Sequence, residues 1–333
     1  MPLSSRSHHI LQRSTIVRLC IALICCALAC ASIAFANHGP GTSGGGSSTV
    51  SGETLKKGTF ELSLREDYTE FEHISRDEAE RRALKSGEFD AISRSFIESF
   101  SLAYGITSDL QIGASIGWYN GVNFIDAESE NGIESESGKA NPSGLTDLNL
   151  NAKLRILRGQ PGNLSLYGGV IAPTGNNDVR LDNGELLEPS SQPGTGAWNF
   201  QIGFGYSRFL TSHITIDASS VYTFRTRDDG FKVGDRWDNG VALAYRLTDS
   251  IQQFPNYSVF LEATDIWIGQ DDEEHNKNPN SGGNSIYLTP GFRVRFDPHA
   301  ALTIAPAFPV VQNLMGDQIE AQFKLAITLS ISF

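Results

Sequence analysis

Beyond residue 30 the chain has no cysteine, because Cys20, Cys25, Cys26 and Cys30 all stand in its first segment. The remainder therefore has no route to a disulfide framework or a thiolate metal site. It also lacks any second long apolar run, which excludes a helical inner-membrane protein. Positive charge is scarce as well: 26 Lys and Arg stand against 38 Asp and Glu. An acidic chain of this kind is not built to bind nucleic acid.

The first segment explains the cysteines. Arg6, Arg13 and Arg18 precede an apolar run from Leu19 to Phe35, which ends in Ala34-Phe35-Ala36. Residues 1–36 read as a Sec signal peptide cleaved after Ala36. A retained membrane anchor is the alternative, and a lipoprotein site at Cys30 a lesser one, since Ala27 stands where leucine is usual. Cleavage removes three of the 26 basic residues and none of the 38 acidic ones, leaving a net charge of −15. Asn37 to Lys57 is rich in Gly, Ser and Thr and is expected to be a flexible periplasmic tail. His38 beside a new α-amine has the makings of a copper-type site, but the simpler reading is a disordered leader into the first strand.

What is abundant is alternation. The last stretch, Glu320–Phe333, places Ala321, Phe323, Leu325, Ile327, Leu329, Ile331 and Phe333 at every second position. That is the period of a strand with one apolar and one polar face. A final strand ending on an aromatic, here with Leu329, Ile331 and Phe333, resembles the insertion signal that the barrel assembly machinery of Gram-negative bacteria recognises. From residue 58 onward about twelve such segments recur. They are Thr59–Phe71, Ala91–Ile106, Leu110–Asn120, Leu145–Ile156, Leu164–Ala172 and Ala197–Leu210, then Ile214–Arg225, Arg236–Leu247, Tyr257–Gly269, Ile286–Phe296, Leu302–Val311 and Ile319–Phe333. Connections after even-numbered segments are short, with Pro161, Pro255 and Pro298 as turn formers, and those after segments one, three, five, seven and nine are long and charged. Residues 58–333 are therefore expected to form an all-β antiparallel transmembrane β-barrel with short periplasmic turns and long extracellular loops. Aromatics such as Tyr104, Trp118, Tyr222 and Trp267 fall near segment ends, where an interface suits them. A soluble sandwich using these rings as core is the competing fold.

One pair disturbs the alternation. Glu66 and Glu98 fall on the apolar side of the first hairpin, and a β-bulge or a place at the rim is expected to spare them from lipid.

The polar side supplies the candidates for lining a pore: Asp147, Lys153, Arg155, Asp217, Glu262, Arg293, Arg295 and Lys324. Lys153/Arg155 and Arg293/Arg295 can form basic ladders that favour anionic or aromatic-acid solutes, or can pair with Asp147, Asp217, Glu262 and Glu320 across strands. The first long loop, Glu72–Asp90, has a helix-forming composition with opposite charges three and four apart. The acidic stretches Glu128–Glu136 and Asp271–His275 lack the oxygen spacing of a calcium loop and read as solvated surface, so no metal site is expected. Nor is a catalytic site. His73, His213, His275 and His299 fall in loops and turns, and no outward His–Ser pair suggests a barrel phospholipase. No cofactor motif is present.

Gly144-Leu145-Thr146-Asp147-Leu148, Gly168-Gly169-Val170-Ile171-Ala172-Pro173-Thr174-Gly175 and Gly203-Phe204-Gly205-Tyr206-Ser207 resemble the family named for the MetA pathway of phenol degradation. The resemblance spans roughly Ala91 to Phe333. It implies an outer-membrane transporter barrel for hydrophobic or aromatic compounds, and carries over no ligand residue. The leading expectation is thus a passive outer-membrane channel for small molecules, working among outer-membrane lipids. The alternatives are a non-conducting barrel that anchors or scaffolds at the cell surface, and a surface hydrolase using loop histidines.

Overall fold

In a computed structural model, residues 45–129 and 132–333 are described. The leader, its cleavage site and His38 lie outside them. Twelve long strands follow the expected segments: β1 Phe60–Phe71, β2 Arg94–Gly105, β3 Leu110–Val122, β4 Leu148–Leu157, β5 Asn163–Ala172 and β6 Asn199–Phe209. They continue as β7 Ile214–Arg225, β8 Arg236–Arg246, β9 Asn256–Ile268, β10 Gly283–Arg295, β11 Ala300–Leu314 and β12 Ala321–Ser332. Each pairs antiparallel with its sequence neighbours, and β12 returns to β1 from Glu61 opposite Ser332 to Phe71 opposite Ala321. The ring is closed, so no sheet edge is left to satisfy.

Its burial is inverted relative to a soluble protein. Ile202 is 61% exposed, Val241 52% and Leu261 49%, whereas Asp217 and Glu262 are fully buried. Apolar side chains left facing outward at this density have a place only against lipid. The sandwich alternative is excluded, because Trp198 and Leu150 point away from the enclosed space. At the turn end, the Phe60 and Tyr104 ring centroids lie 4.4 Å apart in a tilted pair; at the loop end, Tyr68 lies 5.0 Å from Phe96 and 6.4 Å from Phe323. These are the two aromatic girdles.

Glu66 and Glu98 correct one expectation. They sit directly opposite each other in unbroken register, and the one irregularity in the β1–β12 pairing falls between Glu70 and Phe71. No bulge turns either inward. Both line an outward groove with Leu64, Phe100, Ile327 and Leu329, two residues below Tyr68 and Phe96. The carboxylates thus lie on the lipid side, beneath the outer girdle.

The loops build a small cap. Helix α1 (Arg76–Ser86) opens with the Ser75 side chain accepting from the Glu78 amide and closes on Gly87 at φ 90°. Its buried Ala79 and Ala83 pack on Phe89, Ala91, Ile125 and Ala127. Those four residues belong to a three-stranded sheet of Glu88–Ala91, Phe124–Glu128 and Glu136–Ala140. Arg82 is ion-paired with Asp317 of the β11–β12 loop, which draws the cap toward that side of the rim.

Candidate functional site

The expected flexible tail is not what residues 45–57 form. They run inside the barrel and touch strands around the ring, so the composition-based reading is overturned for this part of the segment. Leu55 donates its amide to Gln111 Oε1 (2.9 Å), Gly52 to Ser207 Oγ (2.8 Å) and Val50 to Ser219 Oγ (3.0 Å). The strongest anchor is Glu262 on β9. Its carboxylate accepts from the backbone amides of Ser47 (3.0 Å), Ser48 (3.0 and 3.2 Å) and Thr49 (2.7 Å), and from Thr49 Oγ1 (2.6 Å). Three successive amides converging on one anion form a backbone nest, and such charge-assisted bonds are roughly twice as strong as neutral ones.

The basic residues hold the other side of the same backbone. Lys153 Nζ donates to Ser51 O (3.2 Å), an Arg293 guanidinium nitrogen to Gly46 O (3.0 Å) and Arg65 to Ser47 O (2.7 Å). One acid takes three successive amides, and three bases take carbonyls. The glycines permit this closeness: a Cβ on Gly46 would stand 2.1 Å from Glu262 Oε1, and one on Gly52 2.1 Å from Asn163 O.

The remaining candidates are placed as follows. Asp217 accepts from Ser207 Oγ, whose oxygen also faces the segment. Arg295 lies over the Phe254 ring at 5.2 Å and Lys324 over Tyr287 at 4.0 Å, so aromatic faces hold these cations. Arg155 is ion-paired with Asp109 at the short-turn end (2.8 Å) and makes no ladder with Lys153. Asp147 acts as a clasp between loops, accepting from the Gly175 amide (3.0 Å), the Thr195 amide (2.9 Å) and Thr195 Oγ1 (2.8 Å). Direct pairing of Lys153, Arg155, Arg293 and Arg295 with Asp147, Asp217, Glu262 or Glu320 does not occur among the described residues. Arg65–Asp67 (2.6 Å) and Arg236–Asp238 (2.7 Å) are ion pairs of the lumen, and neither involves a candidate.

Asp147 also explains a break in strand order. Trp118 faces Leu145 and Ser115 faces Asn149, so four residue steps oppose three of β3, a β-bulge at Thr146-Asp147. Thr146 Oγ1 accepts from the Gly117 amide (2.8 Å), and Leu148 donates to Thr174 Oγ1 (3.0 Å). The Gly-Leu-Thr-Asp-Leu and Pro-Thr-Gly elements, far apart in sequence, therefore meet at one place.

On the loop side of residues 47–50 lies a chamber of about 690 Å³. Its wall combines Ile97, Val221, Ile266, Tyr167 and Tyr287 with Lys324 and the Arg65–Asp67 and Arg236–Asp238 ion pairs. A second cavity of about 300 Å³ lies against Gly45–Ser51, bounded by Lys153, Arg293 and Thr328. The segment separates the two.

A closed ring of tilted strands, apolar outside and polar within around a solute-sized chamber, is the architecture of outer-membrane channels. The chain belongs to the family described as "Putative MetA-pathway of phenol degradation", which matches residues 86–305. In fold it is similar to the COG4313 outer membrane channel from Pseudomonas putida F1, at 14% identity over 84% of this chain and 97% of that one, with a TM-score of 0.59. It is less similar to the Ralstonia pickettii toluene transporter TbuX, at 11% identity over 84% and 90% of the chains and a TM-score of 0.41. No curated protein matches the sequence.

Proposed function

We propose that the protein is a passive outer-membrane channel for small solutes, hydrophobic and aromatic compounds among them, and not an enzyme. The carrying observation is the chamber of about 690 Å³, within the size range of small-molecule sites. Apolar side chains beside Lys324 suit an aromatic acid, with the ring against Tyr167 or Ile266 and the carboxylate toward Lys324, while the Arg65–Asp67 and Arg236–Asp238 pairs give a polar but self-neutralised wall. Leu329, Ile331 and Phe333 serve as the signal for assembly into the outer membrane. Residues 45–57 set the resting conductance low, and their release from Glu262 widens the path.

The second reading, a closed barrel that anchors or scaffolds at the surface, is favoured by the same segment if it never leaves. Solute swelling of liposomes distinguishes them. The chain reconstituted after cleavage should admit benzoate slowly, and the same chain lacking residues 45–57 should admit it several-fold faster. A folded barrel silent in both forms would overturn the channel reading.

A further inference from the structure

The cap sheet carries an arrangement that its own stability does not explain. Strand Glu88–Ala91 pairs with Phe124–Glu128 so that Glu88 faces Glu128 and Asp90 faces Asp126. Like charges directly opposite each other destabilise a strand pair. The register is held because Phe89, Ala91, Ile125 and Ala127 are buried on the other face against α1, and a one-residue slip would expose them. The acids are therefore forced onto a common face.

A third element adds to them. Glu188, from the β5–β6 loop, brings a carboxylate oxygen within 4.8 Å of oxygens from both Glu88 and Asp90. Two ligands on opposite sides of one calcium, each at about 2.4 Å, are separated by about that distance. Independently, Asp90 Oδ1 is shut off from solvent and receives no hydrogen bond from an amide, hydroxyl or cationic side chain, and the carboxyl its side chain meets is the equally acidic Asp126, a setting that asks for a cation. Glu88 is already oriented, since Asn278 Nδ2 of the β9–β10 loop donates to both its oxygens (2.9 and 3.1 Å).

Protein cations do not fill the role. Arg82 is committed to Asp317, Arg227 to Asp272 and Lys232 to Asp235. Arg225 borders the adjoining cavity of about 320 Å³, where its charge acts on Asp271. Among the described residues no ion pair reaches Glu88, Asp90 or Glu188.

We propose that Glu88, Asp90 and Glu188 ligate a calcium ion that fastens the β1–β2 and β5–β6 loops together at the extracellular rim. Carboxylates from two irregular loops, with room for water in the adjoining cavity, suit calcium's flexible shell of six to eight oxygens better than the strict octahedron of magnesium.

Calorimetric titration of the full chain in detergent with calcium chloride tests this. One saturable site per chain is expected, weakened at least tenfold in Asp90→Asn and in Glu188→Gln, and unchanged in Glu134→Gln, which removes an exposed acid nearby. Hydrogen exchange at residues 88–91 and 124–128 should slow on adding calcium in the parent chain only. Barrel folding of each variant is checked by heat-modifiable gel mobility. Absence of saturable binding by the folded parent would overturn the site, as would binding that both variants retain. Equal or tighter binding of magnesium chloride would overturn the assignment to calcium.

Discussion

Glu262 shows how a single residue changes meaning between sequence and structure. In the sequence it is one acid on the wet face of a strand; in the barrel it is the anchor of residues 47–49. Replacing it with Gln neutralises the anion and turns one acceptor into a donor facing backbone amides. We expect Glu262→Gln to raise single-channel conductance in planar bilayers several-fold, while the barrel remains folded. Gly46→Ala should act the same way by steric means, because its methyl would enter the Glu262 carboxylate. Variants that conduct no better than the parent would show that the segment does not limit flow. Gly46 and Gly52 also show why the composition of residues 45–57 misleads. Gly and Ser in succession look like a linker, since neither offers side chains for a core. Inside a lumen of acids, bases and hydroxyls the backbone itself is the ligand, and small residues let it approach.

At the scale of elements, α1 was legible in its charge pattern, but its boundaries at Ser75 and Gly87 were set only by the cap geometry of the structure. Ser75→Ala should cost the helix about 1 kcal/mol. The loss should appear in hydrogen exchange as faster exchange confined to residues 75–91, with β1 and β2 unchanged. Acid should loosen the same element. Glu80 is held below the ordinary carboxylate range by the Ser137 hydroxyl and then by Arg76, so its contribution is present above about pH 4.5. That contribution disappears as pH falls through the lowered value. Exchange in α1 measured from pH 6 down to 3 should accelerate beyond the intrinsic trend, and a Glu80→Gln variant should not show the excess. The Asp147 clasp was only half legible. The motifs around Gly144 and Gly175 stand out in sequence, but their meeting through Asp147 required the bulge that turns β4 aside.

For the whole molecule, the outward face decides the environment. The Glu66–Glu98 pair is its one acidic interruption between Phe60 and Tyr68 on β1 and their partners on β2. Glu66→Leu combined with Glu98→Leu should stabilise the barrel folded into phospholipid vesicles by about 1–2 kcal/mol per residue, below the cost of a basic residue at the same depth. Denaturant titration in vesicles measures it. An unchanged or lower midpoint would mean that these carboxylates are matched by a partner in the membrane.

Period-two alternation and the parity of loop lengths determined the strands, their number and which face meets lipid. Those properties depend on each residue's own polarity and its position in the strand, and they survive without knowledge of distant contacts. Only the tertiary structure decided what fills the bore, which acids and bases engage the same backbone, and that acids from two loops share one face of the cap. Each depends on groups far apart in the chain being brought within hydrogen-bond or ligand distance, and no local pattern encodes that distance.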